Sequence, residues 1–239
     1  MVDMSTQSVS RGGSPLRLTD PRILVLLAAL AGTTVLTAVL GITDRSAPLS
    51  YPSRFLIWNL FLAWIPLGFA LVFAVARRRI WLVPFGIAWL AFLPNAPYLI
   101  TDLVHLRDGY DLWRHVLQYG FAAWTGLILG VVSMRLIHRR LTAEFGAVAG
   151  WAAMAVTVAL CAVGVVIGRF QRWNSWDLIN RPDDVVAATF DWVSNPLSSV
   201  QSTGVGLAVA AFLALAYLTM WGYEAVAGAQ VRRPGVPRQ

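Results

Sequence analysis

Two stretches of this sequence hold side chains able to do chemistry. The first is TDLVHLRDGYDLWRH, residues 101–115, where Asp102 and His105 stand three apart and Asp111 and His115 four apart. On a helix each pair shares a face, and Thr101 is placed to cap such a helix. Two carboxylates and two imidazoles can form acid/base pairs, the carboxylate fixing the imidazole tautomer, or can gather around a divalent metal. Asp111 serves equally well as the N-cap of the apolar segment after it, and such spacings recur at solvated helix ends. The four residues are therefore catalytic candidates, and the spacing assigns no metal and no cofactor.

The second stretch is GRFQRWNSWDL, residues 168–178. Arg169 and Arg172 offer forked hydrogen bonds to a phosphate or carboxylate. Trp173 and Trp176 can stack on a sugar or sit among lipid headgroups, and Asn174, Ser175 and Asp177 can fix hydroxyls. That combination suits a lipid headgroup or a glycan, although Trp and Arg also serve as plain anchors at a membrane boundary.

Two amides join these stretches. Asn59 and Asn95 fall at the ends of oily runs, as do Gln118 and Arg169, and all four map to one depth. Pro94 and Pro97 flank Asn95 and lack backbone donors, so the helix should bend or unwind there and free carbonyls toward a cavity. A polar vestibule is expected, with Asn59, Asn95, Arg169, Arg172, Trp173, Asn174, Trp176 and Asp177 as candidate ligand contacts.

The elements that must position these residues are membrane helices. The chain is 57% hydrophobic and 13% charged over 239 residues, against about 25% charged in an average soluble chain. Its apolar residues come in six runs, 23–42, 55–76, 80–100, 116–137, 147–168 and 203–226. Each is long enough, at about 1.5 Å per residue, to cross a hydrocarbon layer of about 30 Å. Lipid offers backbone groups no partner, and no short alternating strands are present, so the expected fold is an all-α polytopic membrane bundle of six transmembrane helices. The first run is too long for a signal sequence and is expected to stay as an anchor.

All nineteen basic residues are arginine, and the net charge is +7. Twelve of the nineteen fall on one side of the six-helix arrangement, and eight of the twelve acidic residues fall on the other. By the positive-inside rule both termini are cytoplasmic, which accounts for the basic excess without nucleic acid as a partner. Residues 1–22 and 227–239 read as cytoplasmic tails, the domain being 23–226. RRR at 77–79 and HRRLTAEFG at 138–146 read as cytoplasmic turns, with His138 and Glu224 as surface groups.

The outer connections are longer. In 169–202 an amphipathic helix is expected to start at Pro182, with Asp183 and Asp184 in its first turn. Val185, Val186, Thr189, Phe190 and Val193 form its apolar face, and it should lie on the membrane or cap the bundle. Gly126/Gly130, Gly146/Gly150 and Gly164/Gly168 are small-xxx-small pairs that bring helices close. RFLIWN at 54–59 recurs in form as RFQRWN at 169–174, which fits coincidence or two similar anchors. Cys161 is the sole cysteine, in mid-span, so no intramolecular disulfide forms.

FLPNAPYLITDLVHL (92–106), YDLW (110–113) and GRFQRWNSWDL (168–178), with WNLFLAWIPL (58–67) upstream, resemble the bacterial integral-membrane family known as domain of unknown function 1361. The resemblance covers most of 54–226. It implies a multi-pass protein of the bacterial cytoplasmic membrane and carries no activity, cofactor or catalytic residue with it. No phosphate-binding loop or zinc-protease helix is present. The residues favour binding or transport of a polar or amphipathic ligand, such as a lipid headgroup, at an outer-face site. A membrane-embedded enzyme acting on a lipid-linked substrate and a non-catalytic assembly protein remain alternatives, and the oligomeric state is open.

Overall fold

The structure, a computed structural model, describes residues 21–43, 51–106, 112–195 and 199–231. Among these there is no strand, and six helical segments are long and apolar enough to cross a membrane: Pro21–Ile42, Arg54–Val75, Arg79–His105, Leu112–Phe145, Ala147–Gln171 and Val200–Gly228. The expected polytopic helical bundle is the observed one. In chain order the helices are α1 (Pro21–Ile42), α2 (Tyr51–Val75), α3 (Leu82–Phe92), α4 (Asn95–Thr101), α5 (Leu112–Phe145), α6 (Ala147–Val166), α7 (Asp177–Asn180), α8 (Pro182–Ser194) and α9 (Val200–Val231). Short 3-10 turns at Arg79–Trp81 and Asp102–His105 and a π-helical turn at Ile167–Gln171 extend the third and fifth spans.

Helix α5 is the hub and packs on α1, α2, α4, α6 and α9. Its small residues permit this. A side chain at Gly126 would collide with the Ala96 carbonyl and the Leu99 side chain, and one at Gly130 would crowd the Ala96 Cβ at 3.2 Å, so α4 lies directly on α5. Around the hub sit two cores. One joins α2, α3, α5, α6 and α9 through Phe73, Trp89, Met134, Met154 and Leu213; the other joins α1, α2, α4 and α5 through Leu30, Leu60, Leu99, Ala122 and Leu129. Polar groups within the spans find partners across helices, as lipid requires: Trp89 Nε1 donates to Ser133 Oγ at 3.0 Å, and Thr125 and Thr33 share a hydrogen bond of 2.7 Å.

Several expectations are revised. The stretch 138–146 is not a loop, because α5 continues to Phe145 and one residue, Gly146 at φ 91°, turns the chain into α6. At about 1.5 Å per residue, the 34-residue helix outruns the hydrocarbon layer. Its last turns are held by ion pairs: Glu144 meets Arg79 at 2.7 Å and Arg140 at 2.9 Å, while Arg140 also donates to the Ala76 carbonyl at 2.9 Å. His138 is not a surface group but is 4% exposed. It bonds the Tyr217 hydroxyl and packs edge-on to Trp151. Beside it Arg135 forks onto Glu224 and reaches Tyr217 at 3.2 Å, tying α5 to α9.

Helix α8 begins with Pro182 and carries Asp183 and Asp184 in its first turn. Its expected apolar face splits in two. Val185 is buried and Thr189 half-buried, together with Ala188 and Trp192, whereas Val186, Phe190 and Val193 are 64%, 72% and 54% exposed. The helix thus packs by one stripe and leaves a second apolar stripe open. The segments 1–20 and 232–239, expected as tails, lie outside the described residues, as does Asp111; α1 starts at Pro21, and α9 runs on to Val231.

Candidate functional site

The site begins at a proline-induced break. Pro94 cannot donate to the preceding turn, so the third span bends between Phe92 and Asn95, although Leu93 and Pro94 keep right-handed helical angles. The Ala96 amide bonds the Leu93 carbonyl at 3.0 Å, one residue short of the α-helical partner. Two carbonyls at the bend are taken by side chains: Phe92 O accepts from Asn95 Nδ2 at 2.8 Å, and Ala91 O accepts from Ser175 Oγ at 3.0 Å. Asn95 Nδ2 also donates to Ser175 Oγ at 2.9 Å. A residue 80 positions away in sequence thereby joins the bend. Gly164 of α6 admits Pro94 at the same level, since a Cβ there would lie 2.5 Å from the proline ring.

About two turns further along, Asp102 is 1% exposed. It accepts from Asn59 Nδ2 and from Arg169 Nη1, both at 3.1 Å. A buried carboxylate needs such partners, because its desolvation in a low-dielectric interior is otherwise uncompensated. The π-helical turn at Ile167–Gln171 presents Arg169, whose guanidinium also lies 3.2 Å from His105 Nε2 and 5.8 Å from the centre of the Tyr98 ring. Arg169 therefore bridges Asp102 and His105. Thr101 does not cap this turn; its hydroxyl donates to the Tyr98 carbonyl at 2.7 Å.

Between the bend and α8 lies a cavity of about 360 Å³. Its walls come from α2, α3, α4, α6, the π-helical turn, the 173–175 loop, α7 and α8; α1, α5 and α9 contribute nothing to the lining. One end is polar, with Asn59, Asn95, Tyr98, Asn174 and Ser175. The other is apolar and includes Ile87 of α3 and Leu160 of α6, which are 65% and 46% exposed. These two helices are not closely packed on each other. Both helices contribute to its lining, as does α8 with Val185 and Thr189.

Of the expected contacts, Asn59, Asn95, Trp173 and Asn174 line this cavity. Arg169 stands just outside it. Arg172, Trp176 and Asp177 are not in its walls but shape the loop that is. Arg172 takes a left-handed conformation (φ 62°) that ends the π-helical turn. Trp176 packs edge-on to Phe92 at 5.1 Å, and Asp177 Oδ2 accepts the Asn174 amide at 2.7 Å. His115 sits in the first turn of α5, away from the lining. Among the described residues no three His, Cys, Asp or Glu side chains converge as a metal site would need. The strings RFLIWN and RFQRWN both end on an asparagine of the cavity wall, Asn59 and Asn174. Tyr98 was not anticipated, and its only signal was its place after Pro97 in the broken helix.

Fold and site define a multi-pass helical membrane protein with a cavity lined by α2, α3, α4, α6 and α8. The chain belongs to the family described as Protein of unknown function (DUF1361), whose model matches residues 58–216. That span takes in every lining residue except Phe55. No curated protein and no solved structure matches the chain.

Proposed function

We propose that this protein binds, and carries or presents, one amphipathic molecule taken from the bilayer. The observation that supports this reading is the cavity itself: an apolar mouth between lipid-exposed Ile87 and Leu160, and amide and hydroxyl groups at the opposite end. Its volume of about 360 Å³ lies in the range of small-molecule sites. It takes in the head and the first part of a chain and leaves the rest in lipid. The site faces the outer side of a bacterial cytoplasmic membrane, with both termini inside; the arginine distribution supports that orientation.

The test is native mass spectrometry of gently purified protein, comparing wild type with Val163→Trp, which fills the cavity wall. A bound lipid in the wild type that is missing from the variant is the expected result. An empty wild type, or a variant that keeps the lipid, contradicts the reading.

The bridge from Asp102 through Arg169 to His105 supports a second reading, an enzyme that works on the head of the bound molecule. It predicts that His105→Ala keeps the lipid but accumulates it unchanged. Identical lipid profiles in wild type and variant remove it.

A further inference from the structure

The chemistry of the polar end narrows what the cavity accepts. No charged side chain lines it. Two cations beside it are engaged elsewhere, Arg169 with Asp102 at 3.1 Å and Arg181 with Asp184 at 2.7 Å while stacked over Trp173 at 5.0 Å, and the exposed Arg172 is not in the lining. The first turn of α8, whose dipole would favour an anion, carries Asp183 and Asp184 instead. The Asp177 carboxylate is likewise spoken for by the Asn174 amide.

The lining groups that remain are neutral, with acceptors standing beside the donors of Asn59, Tyr98, Trp173 and Asn174. Both amide hydrogens of Asn95 are spent, one on the Phe92 carbonyl and one on Ser175, so its carbonyl oxygen is what it has left to offer. The Ser175 hydroxyl donates to Ala91 and accepts from Asn95, which leaves it at most one further acceptor position. Asn59 spends one hydrogen on Asp102 and retains a carbonyl and a second N–H. Tyr98 and Asn174 can donate or accept.

We infer that the ligand head is uncharged and hydroxyl-bearing: a long-chain alcohol or acylglycerol rather than its phosphate ester. A hydroxyl gives a hydrogen to Asn95 and takes one from Asn59 or Tyr98. A phosphate brings a charge to a wall of neutral groups, and finds no cation in the lining to offset its desolvation. An ammonium head lacks a carboxylate in the wall for the same reason. This inference rests on the cavity being the ligand site, and it makes the charge of the head the property that is selected.

The experiment titrates the full-length protein in neutral detergent with chain-matched pairs, following thermal stability and native mass spectra. One pair is dioleoylglycerol against dioleoylphosphatidate; the other is geranylgeraniol against geranylgeranyl phosphate. The expected outcome is that at least one alcohol binds roughly tenfold or more tightly than its own phosphate, and that the alcohol which binds identifies the chain class. Ile87→Trp at the exposed mouth, a position where a bulky group does not disturb the core, should abolish this binding, as should Val163→Trp. A phosphate that binds as tightly as its alcohol, and is lost in both variants, overturns the neutral-head inference while leaving the cavity as the site. Binding unaffected by either variant, or no binding by any of the four lipids, overturns the inference together with the cavity reading beneath it.

Discussion

Arg169 Nη1 lies 3.1 Å from Asp102 Oδ1, joining the end of the fifth span to the turn after α4 across 67 positions of sequence. The carboxylate side chain is 1% exposed and the guanidinium 17%, so the pair is buried on one side only. Neither residue is in the cavity lining, so the pair adds no charge there.

Removing one partner of that pair leaves the other charge uncompensated. Arg169→Met should destabilise the fold by about 2–4 kcal/mol, somewhat below the loss for a fully dry pair because the arginine retains some water. The double variant Arg169→Met with Asp102→Asn should recover part of this. Reversible unfolding in mixed micelles measures both, and simple additivity of the two single effects would show that the groups are not coupled.

The glycines of α5 and α9 divide into two kinds. Gly126→Val forces a side chain into the Ala96 carbonyl and Leu99, and relief requires moving α4 from α5. We expect a loss of about 1–3 kcal/mol or more. Gly120→Ala and Gly204→Ala meet nothing within 4 Å, and should be neutral or gain up to about 1 kcal/mol from helix propensity. Thermal inactivation temperatures of the three purified variants decide this; equal behaviour would mean that α4 does not ride on α5 as described.

Sidedness can be read with a thiol probe, because Cys161, the sole cysteine, is 0% exposed and should not react. Ser194→Cys and Arg78→Cys introduce thiols at exposed positions at opposite ends of the bundle. In intact cells an impermeant maleimide should label the Ser194→Cys protein and spare both Arg78→Cys and wild type. Labelling of Arg78→Cys alone would invert the proposed orientation.

The membrane class and the number of spans were legible in the sequence because hydrocarbon imposes a one-dimensional rule: about twenty apolar residues per crossing. The bend at Pro94 was legible for a similarly local reason, since a missing N–H acts on the turn that contains it. What α5 does after Ile137 was not. Arg139, Arg140 and Glu144 read as a loop because the groups they pair with, Glu224, the Ala76 carbonyl and Arg79, come from other segments. His138 looked solvent-exposed for the same reason, its partners Tyr217 and Trp151 lying on α9 and α6.

Composition and local spacing, then, determined on their own that this is a helical membrane protein whose polar residues gather near one end of its spans, since those properties depend on each segment's own side chains. Only the tertiary structure decided which of them meet: that Ser175 completes the bend at Asn95, that Asp102 neutralises Arg169, and that Arg172 and Asp177 shape a loop instead of lining the cavity. Such pairings depend on the rotation and depth of helices packed against α5, and these follow from close contacts such as Ala96 on Gly126 and Pro94 on Gly164, made between residues far apart in the chain.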